Sequence, residues 1–143
     1  MTGSVVIKDL GLQIQEDVLI NDSDKSFTVP AGENWEVLSV QVQLITTANA
    51  GTRIMTVEAQ GDGSELLVRL TAGATQIESL TRRYNFAANL PQATAFVNDE
   101  LLVPLPSLFR LDAGMILRVY DIAALDAAAD DMEVRALVLR RRA

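Results

Sequence analysis

Apolar and polar residues alternate with a period of two through a succession of short runs, and this confines the chain to β-structure. In residues 35–47, Leu38, Val40, Val42 and Leu44 fall on one side and Ser39, Gln41 and Gln43 on the other. That is the pattern of a strand with one face in a core and one in water. Residues 53–60 set Met55, Val57 and Ala59 against Thr56 and Glu58. Residues 65–71 set Leu66, Val68 and Leu70 against Glu65 and Arg69, and residues 78–87 set Leu80, Tyr84 and Phe86 against Ser79, Thr81 and Asn85. The last run, 132–140, carries Met132, Val134, Ala136 and Val138 on one face. Only residues 123–131, rich in alanine but short, offer a helical turn or two.

Turn chemistry punctuates these runs. Asn49-Ala50-Gly51, Ala72-Gly73 and Asp112-Ala113-Gly114 break the chain, and Gly61-Asp62-Gly63 predicts a hairpin whose Asp-Gly accepts positive φ. Residues 89–99, with Pro91, read as a long loop. Pro104 cannot donate to a ladder, so residues 101–105 fit an edge or a bulge. With shorter pieces at 25–29, 108–111 and 116–122, the reading is eight or nine strands in one all-β domain, a jelly-roll-like β-sandwich. A chain of 143 residues suits one such domain. Residues 25–143 are its body. Residues 1–24, with Val5-Val6-Ile7 and a mixed pattern from Leu12 to Ile20, form either an added edge strand or an arm on a neighbouring subunit.

One stretch is echoed. Phe27-Thr28-Val29-Pro30-Ala31-Gly32-Glu33-Asn34-Trp35-Glu36-Val37 aligns without gaps on Phe109-Arg110-Leu111-Asp112-Ala113-Gly114-Met115-Ile116-Leu117-Arg118-Val119. Both halves place Ala-Gly between a short strand and a longer one. This predicts two equivalent corners, such as paired Greek keys produce, although Ala-Gly turns also recur by convergence.

The residues available for chemistry are few. The chain has neither cysteine nor histidine. Disulfides, thiolate metal sites, cysteine nucleophiles and the usual general base near neutral pH are therefore missing, and the expectation is a protein without enzymatic activity or cofactor. The net charge of −7 opposes binding to nucleic acid. Ten arginines against two lysines suit dehydrated contacts at protein interfaces, although a GC-rich genome explains the skew equally well. No apolar run is long enough to span a bilayer, and Met1 to Ser4 lack the start of a secretory signal.

Three features are candidate sites. Asp121, Asp126, Asp130 and Asp131 lack the spacing of an EF-hand and read as a solvated, charge-rich loop rather than a calcium site. Trp35, Tyr84 and Tyr120 fall within strands, as core or interface residues more than sugar shelves. The basic pairs and runs, Arg82-Arg83 and Arg140-Arg141-Arg142, are not visibly joined to aromatics in one stripe. The terminal run blunts a strand end or docks on an acidic neighbour. The informative feature is apolar residues on both faces of single strands. Leu137 and Leu139 occupy the face of the last strand that should be hydrated, and Ile116, Tyr120 and Ile122 oppose Leu117 and Val119. Such strands need covering on both sides, by the amino-terminal segment or by another subunit. Leu137, Leu139, Arg140, Arg141 and Arg142 are accordingly the candidate oligomer or capsid interface.

The stretch Val29-Pro30-Ala31-Gly32, followed by Trp35-Glu36-Val37-Leu38-Ser39-Val40 and the turn at residues 46–53, resembles small β-sandwich proteins of tailed-bacteriophage particles. So do Leu117-Arg118-Val119-Tyr120-Asp121 and Asp130-Asp131-Met132. The resemblance covers roughly residues 25–140 and rests on turn-and-strand patterns, not on catalytic signatures. It implies a virion structural role: a capsid decoration (cement) protein on the exterior of the head, contacting the major capsid protein, often as a homotrimer. The alternatives are a head–tail connector or tail-associated protein, and a carbohydrate-binding module.

Overall fold

In the computed structural model, which describes residues 9–142, every regular element is a strand. There are ten: β1 (Asp9–Asp17), β2 (Asp24–Thr28), β3 (Glu33–Ile45), β4 (Met55–Gln60), β5 (Leu66–Thr71), β6 (Thr81–Ala88), β7 (Glu100–Leu105), β8 (Arg110–Leu111), β9 (Ile116–Asp121) and β10 (Asp131–Arg142). The fold is thus a β-sandwich with one or two more strands than the alternation alone predicts. Residues 123–130 make turns and no helix, and Asp131 already belongs to β10. Met1–Ser4 and Val5-Val6-Ile7 lie outside the described residues.

The first sheet runs β1-β10-β3-β6-β7, with β8 also on β3, and the second runs β2-β9-β4-β5. Four antiparallel pairings nest inside one another: β1 with β10, β2 with β9, β3 with β6, and β4 with β5. The chain is therefore one long hairpin rolled so that successive pairs alternate between sheets, which is the topology of a jelly roll. β7 is the departure, lying parallel to β6. A parallel neighbour needs a return crossover, and residues 89–99 supply it. Asn89, Asn98 and Asp99 take positive φ in this segment (64°, 51° and 63°), as short polar side chains tolerate. Phe96 packs edge-on to Tyr84 with ring centroids 5.5 Å apart, under the Arg82 guanidinium. Pro104 sits on β7, at the edge of the sheet.

The echoed segments form two matched corners. Glu33 N donates to Pro30 O (3.2 Å) and Met115 N to Asp112 O (3.0 Å), with Gly32 at φ +80° and Gly114 at +84°. This is the turn that requires a left-handed third residue. One corner carries the chain from the second sheet to the first (β2 to β3), and the other carries it back (β8 to β9). They are bonded to each other through Val29 N to Met115 O (3.0 Å) and Gly114 N to Val29 O (2.9 Å). By contrast, the β4–β5 turn does not use Asp-Gly as expected. Its positive φ falls on Ser64 (65°), and the turn closes by Gly61 N to Glu65 O (2.9 Å).

The core lies between the sheets, from Trp35, Val37, Val40, Val42 and Leu44 on β3 to Met132, Val134, Ala136 and Val138 on β10. β3 changes the parity of its buried face partway along. Leu137 lies opposite Ser39 but Val138 lies opposite Val37, so Leu38 is the extra residue of a bulge. Before it the odd positions face the core, and after it the even ones do. Leu38 is only half-buried as a result. The bulge falls where the neighbour of β3 changes from β8 to β6.

Candidate interaction surface

The outer face of the first sheet divides in two along β10. Its Asp9–Asp17 end pairs β1 against β10 with Leu12 opposite Leu139 and Ile14 opposite Leu137. Directly opposed residues share a face, so these four side chains form an aliphatic ladder on the side away from the core. Leu12 is 63% exposed and Ile14 57%, while Leu137 and Leu139 are half-buried. β1 therefore lies beside the apolar face of β10 and extends it. Sequence reasoning missed Leu12 and Ile14, although Leu12-Gln13-Ile14-Gln15 is itself a period-two run. A bulge at Leu10, between the pairs Asp9–Arg141 and Gly11–Arg140, breaks the pattern just before it.

Arg140 and Arg141, after the ladder, are engaged within the chain. The Arg140 guanidinium donates to both carboxylate oxygens of Glu33 (2.8 and 3.0 Å). This bond is the main cause holding Glu33 below the usual carboxylate range. Arg141 reaches Glu36 at 3.9 Å, and Arg142 is exposed at the end of β10. Arg135 pairs with Glu16 at 3.4 Å, at the other end of the ladder. The structure thus gathers Leu137 and Leu139 into one surface bordered by Arg141, while Arg140 lies on the opposite face of β10, the side of Val138.

Farther across the same sheet, Gln41, Gln43, Arg83, Asn85, Glu100, Glu133 and Arg135 line a shallow trough of about 370 Å³. It has amides and charges but no exposed ring, because Tyr84 is buried in the core. Trp35 is buried as well, which removes it as a sugar platform. Arg82 and Arg83 diverge, one to Asp99 (2.9 Å) and the other to Gln43 (3.4 Å), and form no basic stripe.

On the second sheet, side chains around Glu58 cover the middle of the outer face. Tyr120 donates to Glu58, Arg69 reaches Glu58 at 3.2 Å, and Arg118 lies 3.7 Å from the centre of the Tyr120 ring while gripping Asp24 (2.7 and 3.0 Å). This buries Thr56 and Glu58, so β4 is covered on both faces. Tyr120 on that face of β9 is therefore covered by neighbouring side chains of the same sheet. Burial raises the Glu58 pKa, but hydrogen bonds from Tyr120, Gln60 and Arg69 outweigh it and hold the carboxyl below its ordinary value.

The acidic segment before β10 is not the solvated loop expected. Asp121 is buried and accepts from the amides of Ile54 (2.8 Å) and Ala123 (2.9 Å). Asp130 is buried against Arg53 and accepts from Thr47 N (2.9 Å). Their oxygens are occupied in joining loops. The β1–β2 connection is held likewise by buried Lys25, whose Nζ lies 2.8 Å from Leu19 O, 2.7 Å from Asn21 Oδ1 and 3.1 Å from Asp22.

No protein-family model matches the sequence, and no curated protein matches it. Among solved structures, similarity in shape extends to an arabinose-bound α-L-arabinofuranosidase, with 8% identity and a TM-score of 0.37, over 87% of this chain and 19% of that one. It extends also to the infectious bursal disease virus Gt strain (10% identity, TM-score 0.35, 99% of this chain and 34% of that one). A third is the VP2 subviral particle of infectious bursal disease virus (8% identity, TM-score 0.33, 94% and 33%). The chain spans about a third or less of the length of these three, and at such scores the likeness carries no weight for function.

Proposed function

We propose that this chain is a non-enzymatic structural protein of a virus particle, specifically a decoration (cement) protein on the exterior of a tailed-phage head that binds the major capsid protein. The observation that carries the reading is the ladder of Leu12, Ile14, Leu137 and Leu139, aliphatic side chains held on a rigid sheet face that this chain's own first strand enlarges. An apolar patch with a charged border is what a protein presents when it works by burying surface. The turn-and-strand resemblance to phage particle proteins supports the same reading. So does the acidic balance, which sits more easily outside a shell than against packaged DNA. With no histidine or cysteine, the chain lacks the commonest side chains for catalysis near neutral pH.

The test is to mix the purified protein with heads that lack it. Co-sedimentation with the shell, and greater resistance of the shell to heat or chelator, are expected. Failure to bind any capsid form rejects the proposal. Binding confined to a single vertex, seen in negative stain, would favour a head–tail connector instead.

A further inference from the structure

The four sheet edges of this sandwich are not equally guarded. β7 carries Glu100 and Pro104, β5 carries Arg69, and β2 carries the exposed Asp24. Charges and proline are the usual means of keeping an edge from pairing with another chain. β1 is guarded only at its ends. Its middle, Gly11-Leu12-Gln13-Ile14-Gln15, has five uncharged residues in a chain of net charge −7, and no described strand pairs with its outer side.

We propose that β1 pairs antiparallel with β1 of a second copy of this chain, about a twofold axis at Gln13. The register follows from the side chains. A twofold antiparallel pairing keeps the aliphatic faces together only if residue numbers opposite one another add to an even sum. Centring on Ile14 sets Leu12 opposite Glu16, and centring on Leu12 sets Ile14 opposite the bulged Leu10. Centring on Gln13 sets Leu12 opposite Ile14 and Ile14 opposite Leu12. Each ladder then runs on into the other copy as Leu139, Leu12, Ile14, Leu137, giving two parallel rows of four aliphatic side chains. The Glu16–Arg135 ion pair of each copy closes one end of the seam. The result is an apolar centre with a charged rim. On the other face, Gln13 meets Gln13 and Gly11 meets Gln15, with no charge. The bulge at Leu10 ends the regular ladder before position 9 comes opposite Asp17. A surface complementary to itself closes as a dimer, whereas a trimer needs two different complementary patches. The proposal goes beyond the capsid reading and is tested with no shell present.

Because the chain has no cysteine, Gln13→Cys places one thiol at the exposed position on the axis. Opposed residues in an antiparallel pair have Cα atoms about 4.5–5.5 Å apart, within the span of a disulfide. Mild oxidation should link Gln13→Cys into a covalent dimer. Gln15→Cys, set opposite Gly11 of the other copy, should link at least about tenfold more slowly. In sedimentation equilibrium, Leu12→Lys with Ile14→Lys should raise the dimer dissociation constant at least about tenfold while circular dichroism stays that of a folded sheet. A protein monomeric at every concentration and unlinked at residue 13 overturns the proposal and leaves the edge to a strand of the shell. A dimer that links equally well through residue 15, or that the double lysine variant leaves intact, overturns the register.

Discussion

Arg53 and Asp130 form an ion pair at 0% side-chain exposure, with Nε donating to Oδ2 at 2.8 Å and Nη2 to Oδ1 at 3.1 Å. Arg53 also donates to the carbonyls of Asn49 (2.8 Å) and Gly51 (3.1 Å), and its backbone bridges Gln76. Gln76 in turn accepts from Tyr84 Oη at 2.9 Å and donates to Leu44 O at 3.0 Å. One buried polar cluster thus ties three connections together at one end of the sandwich.

Removing one member of that pair leaves a buried charge without its partner. Asp130→Asn or Arg53→Met is expected to cost about 3–5 kcal/mol in urea unfolding. The double variant Arg53→Met/Asp130→Asn is expected to cost less than the sum of the two single losses, since neither charge then remains. Additive losses would show that the two residues act separately.

Gly32 and Gly114 hold the same left-handed turn at the two corners. At Gly32 an added Cβ meets nothing within 4 Å, so only backbone strain opposes it; at Gly114 it would meet the Asp62 Cβ at 3.3 Å. Gly32→Ala is expected to cost about 1–2 kcal/mol and Gly32→Asn less, because asparagine tolerates this region. Gly114→Ala should cost at least as much as Gly32→Ala. Thermal unfolding of the three variants checks the order.

Glu33 and Glu58 both titrate below the ordinary carboxylate range. As pH falls the unfolded chain takes up these protons first, near a pKa of about 4.3. The stability the two groups contribute is therefore complete above that value and is lost as pH drops through their lowered folded values. Tm should stay level from neutral pH to about pH 5 and fall below it. Glu58→Gln should flatten the acid side of that curve. An unchanged acid slope in this variant would remove Glu58 from the account.

Leu137 and Val138 are adjacent in sequence and opposite in role. Val138 is wholly buried and Leu137 lies on the outer ladder. Val138→Asp should unfold the domain, since an unpaired carboxylate in the core costs several kcal/mol. Leu137→Asp and Leu139→Asp should lose about 1 kcal/mol or less, keep the circular dichroism of the folded chain, and weaken self-association or shell binding. Unchanged sedimentation and unchanged binding in both variants would dismiss the ladder as an interface.

Much of the fold is legible in the alternation, because a strand that buries one face must place its apolar residues two apart. The runs at β3, β4, β5, β6 and β10, the edge position of Pro104 and the two Ala-Gly corners all follow from local stereochemistry. The acidic loop was misread because a carboxylate in a loop looks solvated unless the amides that bury it are known. Those of Asp121 and Asp130 come from Ile54 and Thr47, on the far side of the chain.

Periodicity and turn residues fix what each segment does by itself. They do not say which segments become neighbours, because pairing depends on contacts between residues far apart in the chain, those of β1 with β10 more than a hundred positions apart. Leu137 already stood out as a leucine on the wrong face. Only the closure of β1 on β10 set Ile14 beside it and turned two misplaced leucines into a surface. The pairing of β10 with β3, also invisible in the local pattern, set the Glu33 carboxylate beside Arg140 on the opposite face of β10 from Leu139.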